Sequence, residues 1–234
     1  MSTQLCQVVF DALDLKGLAA FWRDLLGWEV TIDRVDEIEI ESSTDGGFPI
    51  GFVPTDAPKL GKNRVHLDLT STSEQHRREL IERVLSLGGA HADVGQGDVR
   101  WSVMSDPEGN EFCVLPLNHY DEPTPNVAAI CIPSVDHGLQ RRFWSAATGW
   151  ALDRRGVRSE SGQHIVFGGG DPSPKVGKNR VHIDVAPPVG GSIDDETERL
   201  IALGATRVDI GQGVVPWTVL ADPEGNEFCI LTPR

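Results

Sequence analysis

His66 stands between Arg64 and Asp68 at alternate positions of Arg64-Val65-His66-Leu67-Asp68-Leu69, and Arg180, His182 and Asp184 repeat the spacing. Successive side chains on a strand point to opposite faces, so the polar trio shares one face and Val65, Leu67 and Leu69 the other. The apolar face is expected to pack on a helix, which turns the polar face toward any cup the sheet encloses. The same alternation puts Glu111 and Cys113 opposite Phe112 and Val114, with Glu227 and Cys229 as counterparts. An imidazole near carboxylates and a thiol has two chemistries open to it: coordination of a divalent ion, or proton transfer near neutral pH. In the second, His66 and Glu111 are the candidate catalytic pair. The structural alternative makes each histidine a hydrogen-bonded partner of Asp68 or Asp184, and each cysteine a small buried hydrophobe.

Lys62-Asn-Arg64 and its twin ending in Arg180 could grip a carboxylate or phosphate at a rim, or form structural ion pairs. Trp28, Trp101, Trp150 and Trp217 are candidates for stacking on a ligand, with core packing as the alternative. Trp22 and Trp144 fall on a helical apolar stripe and read as core. Gly95-Gln-Gly97 and Gly211-Gln-Gly213 are loops without the glycine spacing or the lysine of a phosphate cradle.

The chain says nearly the same thing twice. Gly61–His66 recurs letter for letter as Gly177–His182, and Asp106-Pro-Glu-Gly-Asn-Glu-Phe-Cys113 recurs as Asp222–Cys229. The offset is 116, and 26 of the 53 positions between Gly61 and Cys113 are identical. Upstream it becomes 122, pairing Phe21-Trp22 with Phe143-Trp144 and Gly27-Trp28 with Gly149-Trp150. So long a period means duplicated domains, not a short-repeat solenoid.

The 234 residues suffice for two domains, each able to bury a core. Net charge is −14, from 35 acidic and 21 basic side chains, which argues against nucleic acid as a partner. It favours neutral or cationic small ligands. No apolar run is long enough to span a membrane, and MSTQLCQVVF does not read as a signal peptide. Four cysteines, none in a CxxC, fit a reducing compartment, so the expected location is cytoplasmic.

Each copy splits into two halves of one grammar. The first opens with a strand at Val8-Val9-Phe10, then a helix capped by Asp14 and closed by Gly27. Extended segments follow at Glu29–Ile32 and Glu37–Glu41, a turn at Asp45-Gly46-Gly47, and a last strand at Pro49–Val53. The second half has a strand at Val65–Leu69, a helix over Glu74–Leu87, strands at Trp101–Met104 and Glu111–Leu115, and the turn Asp106-Pro-Glu-Gly109. The second copy repeats this with helices at Asp136–Thr148 and Asp194–Leu203, strands reaching about Gly169, a strand at Val181–Val185 and a final stretch from Trp217 to Leu231. The reading is residues 1–117 as a first domain, 118–125 as a linker and 126–234 as a second domain.

Paired strand-helix-three-strand modules resemble the vicinal oxygen chelate superfamily of glyoxalase I, bleomycin resistance proteins and extradiol dioxygenases. The other marks are the Phe-Trp…Leu-Gly-Trp helix end, the Asn-Arg-Val-His strand and the Asp-Pro-Glu-Gly-Asn turn. The resemblance implies an α+β fold of two tandem glyoxalase-like domains, each built from paired βαβββ modules forming a cup-shaped mixed sheet. It also implies first and last strands side by side, making His66 and Cys113 neighbours. Metal enzymes of the superfamily take ligands from the first strand, the fourth strand, the first strand of the second module and the final strand. Here these positions fall on Gln7, the carboxylate-free stretch Ile50–Phe52, His66 and Cys113, with Glu111 two residues away. In the second domain they fall on Ala129, an apolar or glycine position near Phe167–Gly168, His182 and Cys229.

The expected function is therefore small-molecule binding in one or both cups, as in sequestration of a metabolite or antibiotic. Ligand-contact candidates are Gln7, Trp28, Arg64, Asp68, Trp101, Cys113, Trp150, Arg180, His182, Asp184, Trp217, Glu227 and Cys229. The alternative is an atypical metal-dependent lyase or isomerase acting on an α-hydroxycarbonyl or thioester compound. No cofactor is required by the sequence, and a divalent metal is admitted only in the first domain, with Gln7, His66 and Glu111 as candidate ligands. Expected partners are a small molecule, with no nucleic acid and no membrane. The domains are expected to pair about a pseudo-twofold axis in a monomer, or the chain to form a homodimer.

Overall fold

The computed structural model describes residues 2–43, 47–120, 124–168 and 175–234. The expected turn residues Asp45 and Gly46, the linker residues 121–123 and the strand end at Gly169 lie outside these. The first module comprises β1 (Gln4–Ala12), α1 (Leu15–Leu26), β2 (Glu29–Asp33), β3 (Ile38–Glu41) and β4 (Ile50–Pro54). The second has β5 (His66–Leu69), α2 (Glu74–Ser86), β6 (Ala90–His91), β7 (Ser102–Ser105) and β8 (Glu111–Val114). The third has β9 (Val127–Ile132), α3 (His137–Thr148), β10 (Ala151–Leu152), β11 (Gly156–Arg158) and β12 (His164–Phe167). The fourth has β13 (Val181–Ala186), α4 (Ile193–Ala202), β14 (Thr206–Arg207), β15 (Thr218–Ala221) and β16 (Glu227–Ile230). This is an α+β fold of two repeats, each a pair of βαβββ modules.

The helix ends follow from local chemistry. Asp14 accepts from Gly17 N at 3.0 Å, and Asp136 accepts from Leu139 N at 2.8 Å, satisfying orphan donors at the starts of α1 and α3. Gly27 and Gly149 close the two helices at φ 69° and 75°, where a side chain would be strained.

In every module the first strand lies parallel to the last, and the free edges of first strands meet antiparallel. The two sheets run β14-β15-β16-β13-β1-β4-β3-β2 and β10-β11-β12-β9-β5-β8-β7-β6. Module one thus shares a sheet with module four, and module two with module three. Each cup takes one module from each sequence copy, so the 118–125 boundary separates copies rather than sheets.

One large apolar core joins residues of both sheets, and a smaller cluster of Val103, Cys113 and Leu115 lies apart from it. Phe52, Phe10, Trp22 and Phe112 form a continuous aromatic chain, with successive centroids 5.8, 5.3 and 4.9 Å apart, running from the first sheet through α1 to the second. Trp144 packs on Phe228 at 5.4 Å in the equivalent place. The repeated motifs interlock here. Trp22 donates its indole N–H to Asp106 Oδ2 at 3.2 Å, and Trp144 donates to Asp222 Oδ2 at 3.4 Å. The Asp-Pro-Glu-Gly turn is therefore also the polar anchor of a buried tryptophan.

The turn glutamates clasp neighbouring modules. Glu108 accepts from Leu13 N and Asp14 N at 3.0 and 2.8 Å, and from buried Arg180 at 2.5 Å. Glu224 accepts from Ser134 Oγ, Val135 N and Asp136 N, while Arg64 reaches its backbone carbonyl and Asn226 Oδ1. Removing Glu108 strands a buried guanidinium, a change that costs about 3–5 kcal/mol. Removing Glu224 strands neutral donors only, two of them open to water, at about 0.5–1.5 kcal/mol each. Urea unfolding should therefore rank Glu108→Ala well below Glu224→Ala in stability. Equal losses would mean that the Glu108–Arg180 pair contributes nothing specific.

Candidate functional site

The second sheet carries a cavity of about 190 Å³ in front of β5, β8, β9 and β12. Register brings its polar floor together: His66 lies opposite Cys131, and Asp68 lies opposite Ala129 on one side and Cys113 on the other. One donor atom each of His66, Asp68 and Cys113 lies within 4.8 Å of the others, and His66 Nε2 is 3.8 Å from Asp68 Oδ1. Val94, Trp101, Val103 and Leu115 supply apolar walls.

Burial sets the proton states. It pushes the His66 imidazole below its usual range, against the opposing charges of Asp68 and Glu111, so the ring is neutral at pH 7. Burial, with the Asp68 charge, holds the thiols of Cys113 and Cys131 well above the ordinary range. Both are protonated and poor nucleophiles. Glu111 lines the same cavity but is engaged, by Lys59 Nζ at 2.9 Å and Asn63 N at 3.1 Å.

The first sheet holds the equivalent cluster of His182, Asp184 and Cys229, all buried. Gln7 belongs here. It pairs with Asp184 across the β1–β13 seam, donating Nε2 to Asp184 Oδ2 at 2.9 Å, and it fills the space above Gly51. This corrects the grouping of Gln7 with His66 and Glu111 as one ligand set. Because modules pair across the sequence copies, Gln7 and His66 sit in different sheets. On the second sheet Ala129 takes Gln7's place, and Tyr120 supplies the missing donor, its hydroxyl reaching Asp68 Oδ2 at 3.3 Å. Tyr120 stacks on His164 at 4.6 Å.

The metal that the sequence resemblance implies must be matched to these donors. Each cluster offers one nitrogen, one carboxylate oxygen and one sulfur, a set suited to zinc more than to a hard oxygen-seeking ion. On the first sheet Gln7 adds a fourth donor. There Gln7 Oε1, His182 Nδ1 and Asp184 Oδ1 are buried with no hydrogen-bond partner among the described residues. Burial lowers His182 to about 3 and raises Asp184 to about 6. The donors fit such an ion on the first sheet better than on the second, where Ala129 and Val166 bring no ligand atom.

Other anticipated residues go elsewhere. Arg64 and Arg180 leave the cup faces for the intermodule clasps: regular pairing on β5 begins only at His66, the Glu108 carboxylate captures Arg180, and the Glu224 backbone carbonyl with the Asn226 amide oxygen captures Arg64. Trp28 is buried in the main core and Trp150 packs against it, since both follow the helix-closing glycines and fold back onto the sheet. Trp217, the twin of Trp101, is 39% exposed. Glu227 repeats Glu111, held by Lys175 and by Asn179 N. Sequence reasoning missed Cys131, His119 and Tyr120. Alternation along β9 would have placed Cys131 on the Ala129 face; nothing local marks Tyr120, whose role depends on where the linker crosses the sheet.

A partly buried, neutral His66 makes stability depend on pH. Below about pH 6.5 the unfolded chain takes up a proton at His66 that the folded state refuses, so stability falls as pH drops. Urea titrations at pH 7.5 and 5.5 should show the native chain losing up to about 1.4 kcal/mol per pH unit more than His66→Asn. Parallel losses in the two proteins would refute a partly buried, neutral imidazole.

The sequence matches the model of the glyoxalase-like domain family twice, over residues 7–115 and 129–231. No curated protein matches it. Glyoxalase I from Zea mays superimposes with a TM-score of 0.66 at 15% identity, over 99% of this chain and 92% of the maize chain. A candidate dioxygenase from Bacillus subtilis gives 0.64 at 14%, over 99% and 86%. Identities this low establish a shared fold and nothing about substrate. With both halves matched and the full-length fold shared, the chain belongs to the glyoxalase-like domain family of the vicinal oxygen chelate superfamily, and contains that domain twice.

Proposed function

We propose that the chain binds a small molecule in the His66 cavity, as a sequestering protein for a metabolite or antibiotic. The observation that carries this reading is a cavity with apolar walls over a small polar floor, the ordinary form of a ligand site. At about 190 Å³ it is smaller than the roughly 300 Å³ at which drug-sized pockets begin, which suits a compact compound. Chemistry on the floor is restrained: both thiols are protonated and Glu111 is tied to Lys59. His66 is left as a neutral imidazole beside the Asp68 carboxylate, which already accepts from Tyr120.

The three unpartnered buried atoms on the first sheet favour a second reading, an ion-dependent lyase or isomerase centred on His182. Gln7, His182, Asp184 and Cys229 would hold the ion, which when bound supplies a Lewis acid for a substrate oxygen. Their mutual contacts already orient the set, since Gln7 fixes Asp184 and Asp184 lies 3.5 Å from His182 Nε2.

Thermal shift across a metabolite and antibiotic library should find compounds that raise the melting temperature, because a ligand bound only by the native state stabilises it. Val166→Phe, which fills the cavity from β12, should abolish every such shift while leaving the free protein folded. Shifts that survive Val166→Phe, or none at all, would exclude this cavity as the binding site. Elemental mass spectrometry separates the second reading. About one zinc per chain, lost in His182→Ala and kept in His66→Ala, would support it; no metal after incubation with zinc would remove it.

A further inference from the structure

Lys62 lines the mouth of the His66 cavity and also a cleft of about 790 Å³ where the two Gly-Lys-Asn-Arg loops face each other. Its twin Lys178 is neutralised, with Nζ 2.7 Å from both carboxylate oxygens of Asp11 at the β1 end of the seam. The residue that takes Asp11's place beyond β9 is Pro133. Proline carries no charge, so Lys62 has no ion-pair partner among the described residues. The neighbouring cation, Lys59, is already held by Glu111.

Other charges lean the same way. Arg100 and Arg155 both act on His119, which lines the cavity, and the Arg155 guanidinium lies 5.4 Å above the Tyr120 ring. The second copy has Pro216 where the first has Arg100. Against these three cations the cavity sets one unneutralised carboxylate, Asp68. The net charge of −14 describes the whole surface, whereas the charges acting on His119 inside the cavity are two guanidinium groups against the one Asp68 carboxylate. These local charges favour an anionic ligand over the neutral or cationic one expected from net charge.

We propose that the cavity takes a compact anionic ligand, with an apolar body of about one ring against Trp101 and Val103 and a carboxylate or phosphate on Lys62 Nζ. This rests on the small-molecule reading above and names the class of compound. Four probes sharing a phenyl ring test it: benzoate, phenyl phosphate, benzyl alcohol and benzylamine. Dissociation constants are read on the full chain from the Trp101 indole resonance, assigned with Trp101→Phe. One of the two anions should bind about tenfold or more tightly than benzyl alcohol, the scale of one charge-assisted hydrogen bond. Which anion leads decides between carboxylate and phosphate.

Lys62→Met should erase that margin, and Lys178→Met, which removes an already paired cation, should leave it. A margin that survives Lys62→Met, equal binding of benzyl alcohol, or preference for benzylamine would overturn the anionic assignment while leaving the small-molecule reading intact. Failure of all four probes also overturns it, and the library screen with Val166→Phe then decides the wider reading separately.

Discussion

Both cups depend on backbone hydrogen bonds across two antiparallel seams, β1 with β13 and β5 with β9. A four-stranded module has an open edge at its first strand, and an open edge is costly unless it is paired. Joining first strands satisfies those groups and brings the polar faces of two modules together over one concavity. Both clusters of potential ligand atoms among the described residues sit on or beside a seam. Gln7, Asp184 and His182 flank one, and His66, Asp68 and Cys131 flank the other. The Glu108–Arg180 clasp reinforces the first seam by tying modules one, two and four at a single buried charge pair.

Duplication produced two similar cups, and a few substitutions made them different. In the first, a glutamine on β1 donates to the buried aspartate and occupies the space beside it. In the second, alanine stands at that position and a tyrosine from between the copies reaches in to make the equivalent bond. Each buried carboxylate gains one side-chain donor either way, Gln7 on Asp184 and Tyr120 on Asp68. What changes is the surroundings. The first cup is a tight set of metal-type donors with unsatisfied lone pairs, while the second keeps a cavity with an aromatic wall and an unneutralised lysine at its mouth.

Much of the fold was legible because its signals are local. Asp14 and Gly27 mark the ends of α1 by capping chemistry alone, and alternation at His66–Leu69 correctly assigns the faces of β5. The paired tryptophans and Asp-Pro-Glu-Gly turns announced themselves by repetition, although their direct contact did not. Alternation failed at Arg64, where the strand has not yet begun and a carbonyl and an amide on another module capture the guanidinium. Trp28 and Trp150 failed likewise, since an aromatic after a helix reads the same whether it turns toward a ligand or toward the core.

The sequence by itself determined the modules, their duplication, the apolar and polar faces of each strand and the types of donor available. These follow from periodicity, capping and turn residues, which act over a few neighbouring positions. Only the tertiary structure decided which module meets which, and so whether Gln7 shares a site with His66 or with His182. Strand edges pair through backbone groups that are identical at every residue, so nothing in the side-chain pattern names the partner. The choice is made by long-range packing and by a few buried polar contacts, such as Glu108 with Arg180, whose members lie 72 positions apart in the chain.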